Sequence, residues 1–359
     1  MTADCSDKLT EISESYQKLA LKLDQLPNGF PRTDSNIEID ILQKIFSPED
    51  AELASHLTGT MEAPELIAQR ADLSVKKATI KLLRLAKRRL VWMEGNKTKP
   101  TFRLAPFVVG IYEAQVESLD HELAHMIEDY MNQGGAEGIM RYEPALHRVV
   151  PAHGTVNPEW ILPYDDVRAM LLNSKSFNVS DCICRKKMKL LDKGCDFPMK
   201  NCLSFFAQET PPRPSTITKE EALAILDQAK EVGLVHTVSN IAQGVFYLCN
   251  CCGCCCELLL GITERGIEKS VARANYLAAI DEEQCDQCGL CQDRCQVNAI
   301  IEDDVMVIDA HKCIGCGVCV SACPNQAMTL KPIAQTEMVH PPQDFAAWEQ
   351  LRLQNRGMV

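Results

Sequence analysis

Hydrophobic residues at helical spacing open the chain. Over residues 7–26 they recur at intervals of three and four, which is the period of a helix with one buried face. The positions are Leu9, Ile12, Tyr16, Leu19 and Leu23. Pro27 and Gly29 end the pattern, and a polar link follows. Residues 1–36 are therefore predicted to form an N-terminal helix and a linker.

Residues 37–110 show several helices followed by a hairpin. The predicted helices and strands cover 37–46, 48–57, 64–71, 75–90, 91–93 and 101–104. Ser47 and Ser74 are the expected N-caps. This order resembles a winged helix, so we expect a winged-helix-like domain. Its helix over 75–90 carries the basic residues that a DNA-reading helix would use: Lys76, Lys77, Lys81, Arg84, Lys87, Arg88 and Arg89. Because winged helices also dock proteins, the basic face fits DNA or an acidic partner protein, and docking is the favoured interpretation.

Residues 111–180 are predicted to form a helical connector with little chemistry. One long helix is expected over Tyr112–Gln133, and a shorter one, capped by Asp165, over Pro163–Leu172. A short extended piece is expected over 149–154 and a strand over Ser176–Val179. His121 and His125 have the spacing of a metal-binding pair on a helix, but no further ligand motif accompanies them. We therefore interpret both as ordinary surface or core histidines.

Residues 181–275 are predicted to form a mixed α/β, cysteine-rich domain. Its clearest element is a helix that begins at the capping box of Thr218 and Glu221 and ends before Gly233, with two strands after it. Ten cysteines lie in two blocks around these elements: Cys182, Cys184, Cys195, Cys202, Cys249, Cys251, Cys252, Cys254, Cys255 and Cys256.

The second block holds six cysteines in eight residues, which packing alone does not require. Consecutive cysteines point in different directions, so only one or two of them are expected to join the four cysteines of the first block. This predicts at least one additional iron–sulfur cluster, with a zinc site or a reactive dithiol as alternatives. His236 and Asn240 lie between the blocks, where they would hydrogen-bond cluster sulfur or serve as interior polar residues.

Eight more cysteines form two copies of one spacing. They are Cys285-x2-Cys288-x2-Cys291-x3-Cys295 and Cys313-x2-Cys316-x2-Cys319-x3-Cys323. Such a loop supplies three thiolates to a cubane cluster, and in the two-run arrangement the fourth cysteine ligates the other run's cluster. One [4Fe-4S] cluster is therefore assigned Cys285, Cys288, Cys291 and Cys323, and a second Cys313, Cys316, Cys319 and Cys295. Zinc and disulfides are disfavoured, since zinc prefers separated pairs and no secretion context is visible.

With Pro324 after Cys323 and glycines at Gly289, Gly315 and Gly317, this segment resembles a bacterial two-cluster ferredoxin module. Gln296 departs from the family, which usually has proline there. The order of cysteine blocks over about 37–331 is also similar to large ferredoxin-like proteins of anaerobic bacteria with a winged-helix-like N-terminal part. That resemblance implies additional clusters and electron transfer, and no specific substrate.

The composition of the chain indicates the cellular environment and the kinds of partner to expect. The chain has 359 residues and 19 cysteines, of which all but Cys5 lie between Cys182 and Cys323. A polar start and the lack of a long apolar run predict neither a signal peptide nor a membrane span, hence a reducing cytoplasm, with an anaerobic or microaerobic host. Net charge is −12, which disfavours general nucleic-acid binding. Residues 281–331 carry nine acids and three bases, typical of carriers that dock on basic patches, although a merely solvated face has the same composition.

The predicted fold class is an α+β multidomain protein. The expected segments are 1–36, 37–110, 111–180, 181–275, a 2[4Fe-4S] ferredoxin domain at 276–331 and a tail at 332–359. The predicted function is cytoplasmic transfer of single low-potential electrons to or from a redox enzyme. Two alternatives stay open: a redox- or oxygen-sensing DNA-binding regulator, and an oxidoreductase whose active cluster lies within 182–256.

Overall fold

The computed structural model describes residues 3–96, 98–303 and 305–359, with side chains from residue 14 onward. The predicted free thiol of Cys5 and the acidic residue Asp304 lie outside this description. The chain forms two compact units. One contains the chain up to Ile139 together with Arg352–Val359, and the other is Met140–Leu351.

The first unit is built from helices and one hairpin, largely in the predicted order. Its elements are α1 (Ala3–Asp24), α2 (Ile37–Ile45), α3 (Pro48–Ser55), α4 (Pro64–Arg70), α5 (Val75–Lys87), β1 (Val91–Asn96) and β2 (Lys99–Leu104). The predicted caps are confirmed, because Ser47 Oγ accepts from Asp50 N at 3.2 Å and Ser74 Oγ accepts from Lys77 N at 3.4 Å. Ala78, Leu82 and Leu85 of α5 are buried at the helical interval.

The single long helix predicted over Tyr112–Gln133 is wrong. The structure has three shorter helices, α6 (Tyr112–Ala114), α7 (His121–Tyr130) and α8 (Ala136–Met140). A new helix begins at α7 because Asp120 caps it, accepting a hydrogen bond from Leu123 N at 2.8 Å. After α7 the backbone leaves helical geometry at Gly134, whose φ is +103°. His121 and His125 are exposed on α7, as ordinary surface histidines are.

The second unit contains a six-stranded antiparallel sheet. Its strands are β3 (His147–Val150), β4 (Ser176–Asp181), β5 (Lys200–Phe206), β6 (Thr216–Ile217), β7 (Val235–Ser239) and β8 (Tyr247–Cys251), in the order β3-β7-β8-β5-β4-β6. Strands β3 and β4 come from the mostly helical segment 111–180. Strand β4 begins at Ser176, where a strand was expected, and β3 overlaps the start of the extended piece expected from Val149. The sheet joins chain from both sides of the predicted limit at 180/181, and the domain limits stay predictions.

The two faces of this sheet differ sharply. Leu203 pairs with Leu248, and Phe177 with Phe205, on a face that forms an apolar core with α9 (Val167–Leu172) and α11 (Lys219–Glu231). Because side chains alternate along a strand, the cysteines of β5 and β8 fall on the opposite face. One face of the sheet therefore packs into the apolar core, and the other face carries cysteines.

Two details around the sheet differ from expectation. Asp166, not Asp165, caps α9, accepting from Ala169 N at 2.9 Å. Asp165 is instead buried against the guanidinium of Arg148, with Nη1 and Oδ1 2.5 Å apart. Pairing with Arg148 stabilises the fold more than a second helix cap would, because a buried charge without a partner strongly destabilises a protein.

Eight further described elements of this unit lie between and after the strands of the sheet. They are α10 (Ile183–Leu190), α12 (Glu257–Thr263), β9 (Tyr276–Ile280), α13 (Leu290–Arg294), β10 (Ile300–Glu302), β11 (Met306–Ile308), α14 (Val318–Ala322) and β12 (Met328–Pro332). Strand β9 pairs with β12 and β10 with β11, both antiparallel. This symmetric arrangement encloses the two cysteine runs.

The C-terminal tail forms α15 (Phe345–Asn355). Trp348 is buried and donates its Nε1–H to Ala145 O at 3.0 Å, so the helix docks on its own chain. No helix in the described part of the chain has both the length and the apolarity to cross a membrane.

Candidate metal centres

The first C-terminal cysteine run surrounds a small cavity. Its lining includes Cys285, Cys288 and Cys291 of the run, and Cys323 joins them from the other run. These are the four cysteines that the spacing assigns to one cluster. An enclosed space with four inward thiols is what a cubane needs, so the residues present fit a [4Fe-4S] group.

The cysteines of the second run lie near one another and near Cys295. Burial, together with the nearby thiols of Cys295 and Cys313, raises the pKa of the Cys316 thiol to about 12. Burial raises the pKa of Cys319 as well, with the same neighbours contributing. Cys295 also accepts a hydrogen bond from Ala299 N at 3.2 Å. Cys295 therefore lies with the second run, in the crossed arrangement.

The two runs share their backbone geometry as well as their spacing. Positions 28 residues apart adopt the same left-handed conformation: Gln287 with Gly315, Gly289 with Gly317, and Asn298 with Gln326. A side chain at Gly315 would place its Cβ 2.3 Å from Tyr276 O, so glycine is required there. Gln287, Asn298 and Gln326 show that the loop imposes this conformation on other residues too.

A known family model matches this C-terminal segment. The model of the 4Fe-4S binding domain matches residues 278–301 and 306–329, one match for each cysteine run. The C-terminal segment is a ferredoxin-like 4Fe-4S module. Searches of curated proteins and of solved structures find no match for the chain.

Four upstream thiols converge on one point. Cys195, Cys252, Cys254 and Cys255, here called the four-thiol group, have sulfur atoms within 4.8 Å of one another. Cys195 Sγ lies 4.0 Å from Cys252 Sγ and 3.6 Å from Cys255 Sγ. Sequence reasoning had placed Cys195 with the first block, but its loop carries it to the second. Met188, Ala229 and Leu234 pack against this group.

The other six upstream cysteines interact with one another in one region and are here called the six-thiol group: Cys182, Cys184, Cys202, Cys249, Cys251 and Cys256. Cys184 is hydrogen-bonded to Cys182 and Cys256, Cys256 to Cys251, and Cys249 to Cys202. Cys182 and Cys256 hold the N-cap positions of α10 and α12. Backbone N–H groups at these helix starts favour negatively charged sulfur.

Arg185 is the buried cation between the two groups. It is 1% exposed, and its Nε lies 3.3 Å from Cys252 Sγ. Its other nitrogens donate to Pro198 O at 2.8 Å, Asn201 Oδ1 at 2.9 Å and Asn250 O at 2.7 Å. The hydrogen bond with Cys255 and the charge of Arg185 together lower the pKa of Cys252 to about 5 despite its burial. The sequence signal for this role is Arg185 directly after Cys184.

A chain of hydrogen bonds leads from a partly exposed tyrosine to the six-thiol group. Tyr247 Oη lies 2.9 Å from His147 Nε2, and His147 Nδ1 lies 3.2 Å from Thr237 Oγ1. Thr237 Oγ1 is in turn 3.5 Å from Cys251 Sγ. Burial lowers the pKa of His147 to about 4, so its ring is neutral and able to donate at one nitrogen while accepting at the other.

Gly253 makes one of the described contacts between the upstream cysteine region and the 4Fe-4S module. Gly253 donates its N–H to Gln296 Oε1 at 2.8 Å. Gly253 lies between two members of the four-thiol group, and Gln296 follows Cys295 in sequence. A Cβ on Gly253 would stand 2.2 Å from Gln296 O, so the two backbones are in direct contact. This accounts for glutamine where the ferredoxin family usually has proline.

His236 and Asn240 are buried, as interior polar residues are. His236 Nδ1 lies 2.6 Å from Asn250 Oδ1, and burial lowers its pKa to about 4. The Asn240 N–H donates to Leu146 O at 3.3 Å. Among the hydrogen bonds described for these two residues, none reaches a cysteine sulfur, so the expected bond to cluster sulfur stays a prediction.

Proposed function

We propose that the protein transfers single electrons through iron–sulfur clusters, two in the 4Fe-4S module and at least one upstream. The observation that carries this is the cavity in which Cys323 joins Cys285, Cys288 and Cys291. When bound, cubane clusters accept and release one electron each at low potential. The chain's part is to supply eight thiolates, exclude water around them and fix their geometry.

We assign the further cluster to the six-thiol group. Its thiols interact with one another in one region, so several of them are available for a cluster whose irons each take a different thiolate. Two helix starts and the buried cation Arg185 lower the cost of the negative charge that such a centre carries.

The contacts give the proposed route a direction. The second-run site adjoins the upstream field through Gln296, whereas the first-run site is near the surface, where Cys288 is exposed. Exposed acids surround that surface, at Asp281, Glu282, Glu283, Asp286 and Asp293. A redox enzyme with a basic patch would dock there, and electrons would pass between it and the upstream centre.

The test is anaerobic iron and sulfide analysis combined with spin-resonance counting of reduced clusters. Twelve irons or more per chain, roughly three cubanes, with reversible low-potential reduction, are expected. Eight irons would remove the upstream cluster but leave the module. A colourless protein without sulfide would refute the proposal.

The winged-helix-like unit is proposed to dock a redox enzyme rather than DNA. The basic face of α5 is partly neutralised within its own unit, because Lys81 lies 2.6 Å from Glu49 and Arg84 lies 2.6 Å from Asp50. Asp50 also pairs with Arg88 at 3.1 Å. Salt-sensitive duplex binding that changes with cluster oxidation would favour the regulator instead.

A second candidate function is an oxidoreductase with its active centre in the six-thiol group. The hydrogen-bonded chain from Tyr247 through His147 and Thr237 to Cys251 favours it, since reduction of a substrate needs protons as well as electrons. Thr237→Val would then slow proton-coupled turnover while leaving electron uptake by the module intact. A carrier with no substrate would show the same electron kinetics with and without that change.

A further inference from the structure

The four-thiol group differs in kind from the cluster sites. Its sulfur atoms lie 3.6–4.0 Å apart in the measured contacts of Cys195 and Cys255. Four thiolates around one ion at about 2.3 Å stand about 3.8 Å from one another in a tetrahedron. Thiolates on a cubane stand farther apart, at roughly 6 Å, because each binds a different iron. Among the described residues no other set of cysteines converges so tightly.

Packing alone does not explain this convergence. Cys254 and Cys255 are neighbours in sequence, yet their sulfur atoms are only 3.7 Å apart and both approach Cys195. Consecutive side chains normally point away from each other, and Cys254 is exposed, so it contributes little to the apolar cluster behind the group. A disulfide needs sulfur atoms about 2.05 Å apart, which none of the measured contacts approaches.

The charge around the group also fits a bound ion. The guanidinium of Arg185 is buried, and apart from Cys252 its hydrogen-bond acceptors in the described contacts are neutral oxygens. A buried cation needs an anionic partner, and the Cys252 sulfur, at 3.3 Å, supplies it only as a thiolate. Four thiolates and a divalent ion carry net charge −2, which Arg185 partly offsets.

We propose that Cys195, Cys252, Cys254 and Cys255 bind a single tetrahedral metal ion, Zn²⁺ or Fe²⁺, separate from any iron–sulfur cluster. The chemistry of the donor set is shared by both ions, because each accepts four thiolates in a tetrahedron. Zinc would make the site structural, holding the Gly253 contact with the 4Fe-4S module. Iron would add a one-electron station at that contact.

The decisive measurement uses the full chain, purified without oxygen. A cubane contains equal numbers of iron and acid-labile sulfide, whereas a single-ion site contains metal and no sulfide. We expect total iron plus zinc to exceed sulfide by about one per chain. Absorption fine structure at the zinc edge, or the spin-resonance signal of an isolated ferric ion after oxidation, then identifies the ion. Equal metal and sulfide, with no zinc, would overturn the proposal.

Variants make the assignment specific. The double variant Cys195→Ser, Cys254→Ser should lose about one metal ion per chain while sulfide is unchanged. Cys5→Ser, which removes a cysteine elsewhere, should lose neither. A parallel loss of about four irons and four sulfides would show that the four-thiol group holds a cluster. Unchanged metal in the double variant, or two fewer free thiols in the wild type without metal, would also refute it.

The outcome is independent of the proposed electron transfer. Iron and sulfide of the 4Fe-4S module are read in the same sample, so a failed single-ion site leaves their counts in place. If the double variant does not fold, the excess of metal over sulfide in the wild type still decides the question.

Discussion

The backbone N–H of Gly253 donates to the side-chain oxygen of Gln296 at 2.8 Å. This one hydrogen bond joins the loop between Cys252 and Cys254 to the residue that follows Cys295. It starts between two members of the four-thiol group and ends beside a cysteine of the 4Fe-4S module. Electron exchange between the two regions is therefore expected to pass through it.

Replacing Gln296 tests that route. Gln296→Leu keeps the volume but removes the acceptor, so transfer between the upstream centre and the module should slow severalfold, because a van der Waals gap couples the two sides more weakly than a hydrogen bond does. Rapid reduction followed by freeze-quench spin resonance measures the rate. Gln292→Leu, on the neighbouring helix α13, is the control. Equal rates in all three proteins would exclude the contact as the route.

Crossed ligation in the module predicts an asymmetric effect of Cys295. Cys295→Ser should damage the cluster of the second run, because Cys295 lies with Cys313 and Cys316. The first-run signal should persist, with about four irons lost at most. Spin-resonance counting of reduced clusters reads both signals, and loss of only the first-run signal would contradict the arrangement.

Arg185 is expected to stabilise the folded region around the ten upstream cysteines. Arg185→Gln leaves buried thiolates without their cation and should lower the free energy of unfolding by about 3–5 kcal/mol. Arg168→Gln, which breaks the partly exposed pair with Asp227, should cost no more than about 1 kcal/mol. Anaerobic denaturant titration measures both. A smaller effect at Arg185 than at Arg168 would show that the thiols do not depend on its charge.

His147 makes stability depend on pH. Burial lowers its pKa from 6.5 to about 4, so the folded protein favours the neutral ring. The resulting stability is complete above pH 6.5 and is lost as the pH falls towards 4. Between pH 7.5 and 5.5 the loss should be about 1 kcal/mol, and His147→Gln should lack this part. Thermal midpoints of both proteins across this range measure it, and parallel pH profiles would argue against a neutral His147.

The acidic face of the module should govern association with a basic redox partner. Charge reversal at Glu282 and Glu283, both exposed, should slow electron transfer to a basic haem protein by about tenfold at low ionic strength. The difference should shrink as salt is added. Glu220→Lys, an exposed reversal on α11, is the control. The same slowing in that control would point to net charge rather than this face.

Local sequence determined much of this protein. The spacing of the two cysteine runs predicts which four thiols belong to each cluster, because a cysteine every third residue can only meet a fourth from elsewhere. Four of these eight, Cys285, Cys288, Cys291 and Cys323, line one cavity. The capping box of Thr218 and Glu221 and the terminating Gly233 likewise appear as predicted. These features depend on neighbours a few residues apart, which the sequence displays directly.

Tertiary structure decided the rest. The ten upstream cysteines divide into two groups because β5 and β8 pair in one register and the loop after α10 carries Cys195 to Cys255, across 60 residues of chain. Asp165 serves Arg148 rather than α9 for the same reason, since a buried arginine from a distant strand is a stronger partner than a nearby helix end. Long-range pairing of this kind leaves no periodic signal in the sequence, so only the folded chain reveals it.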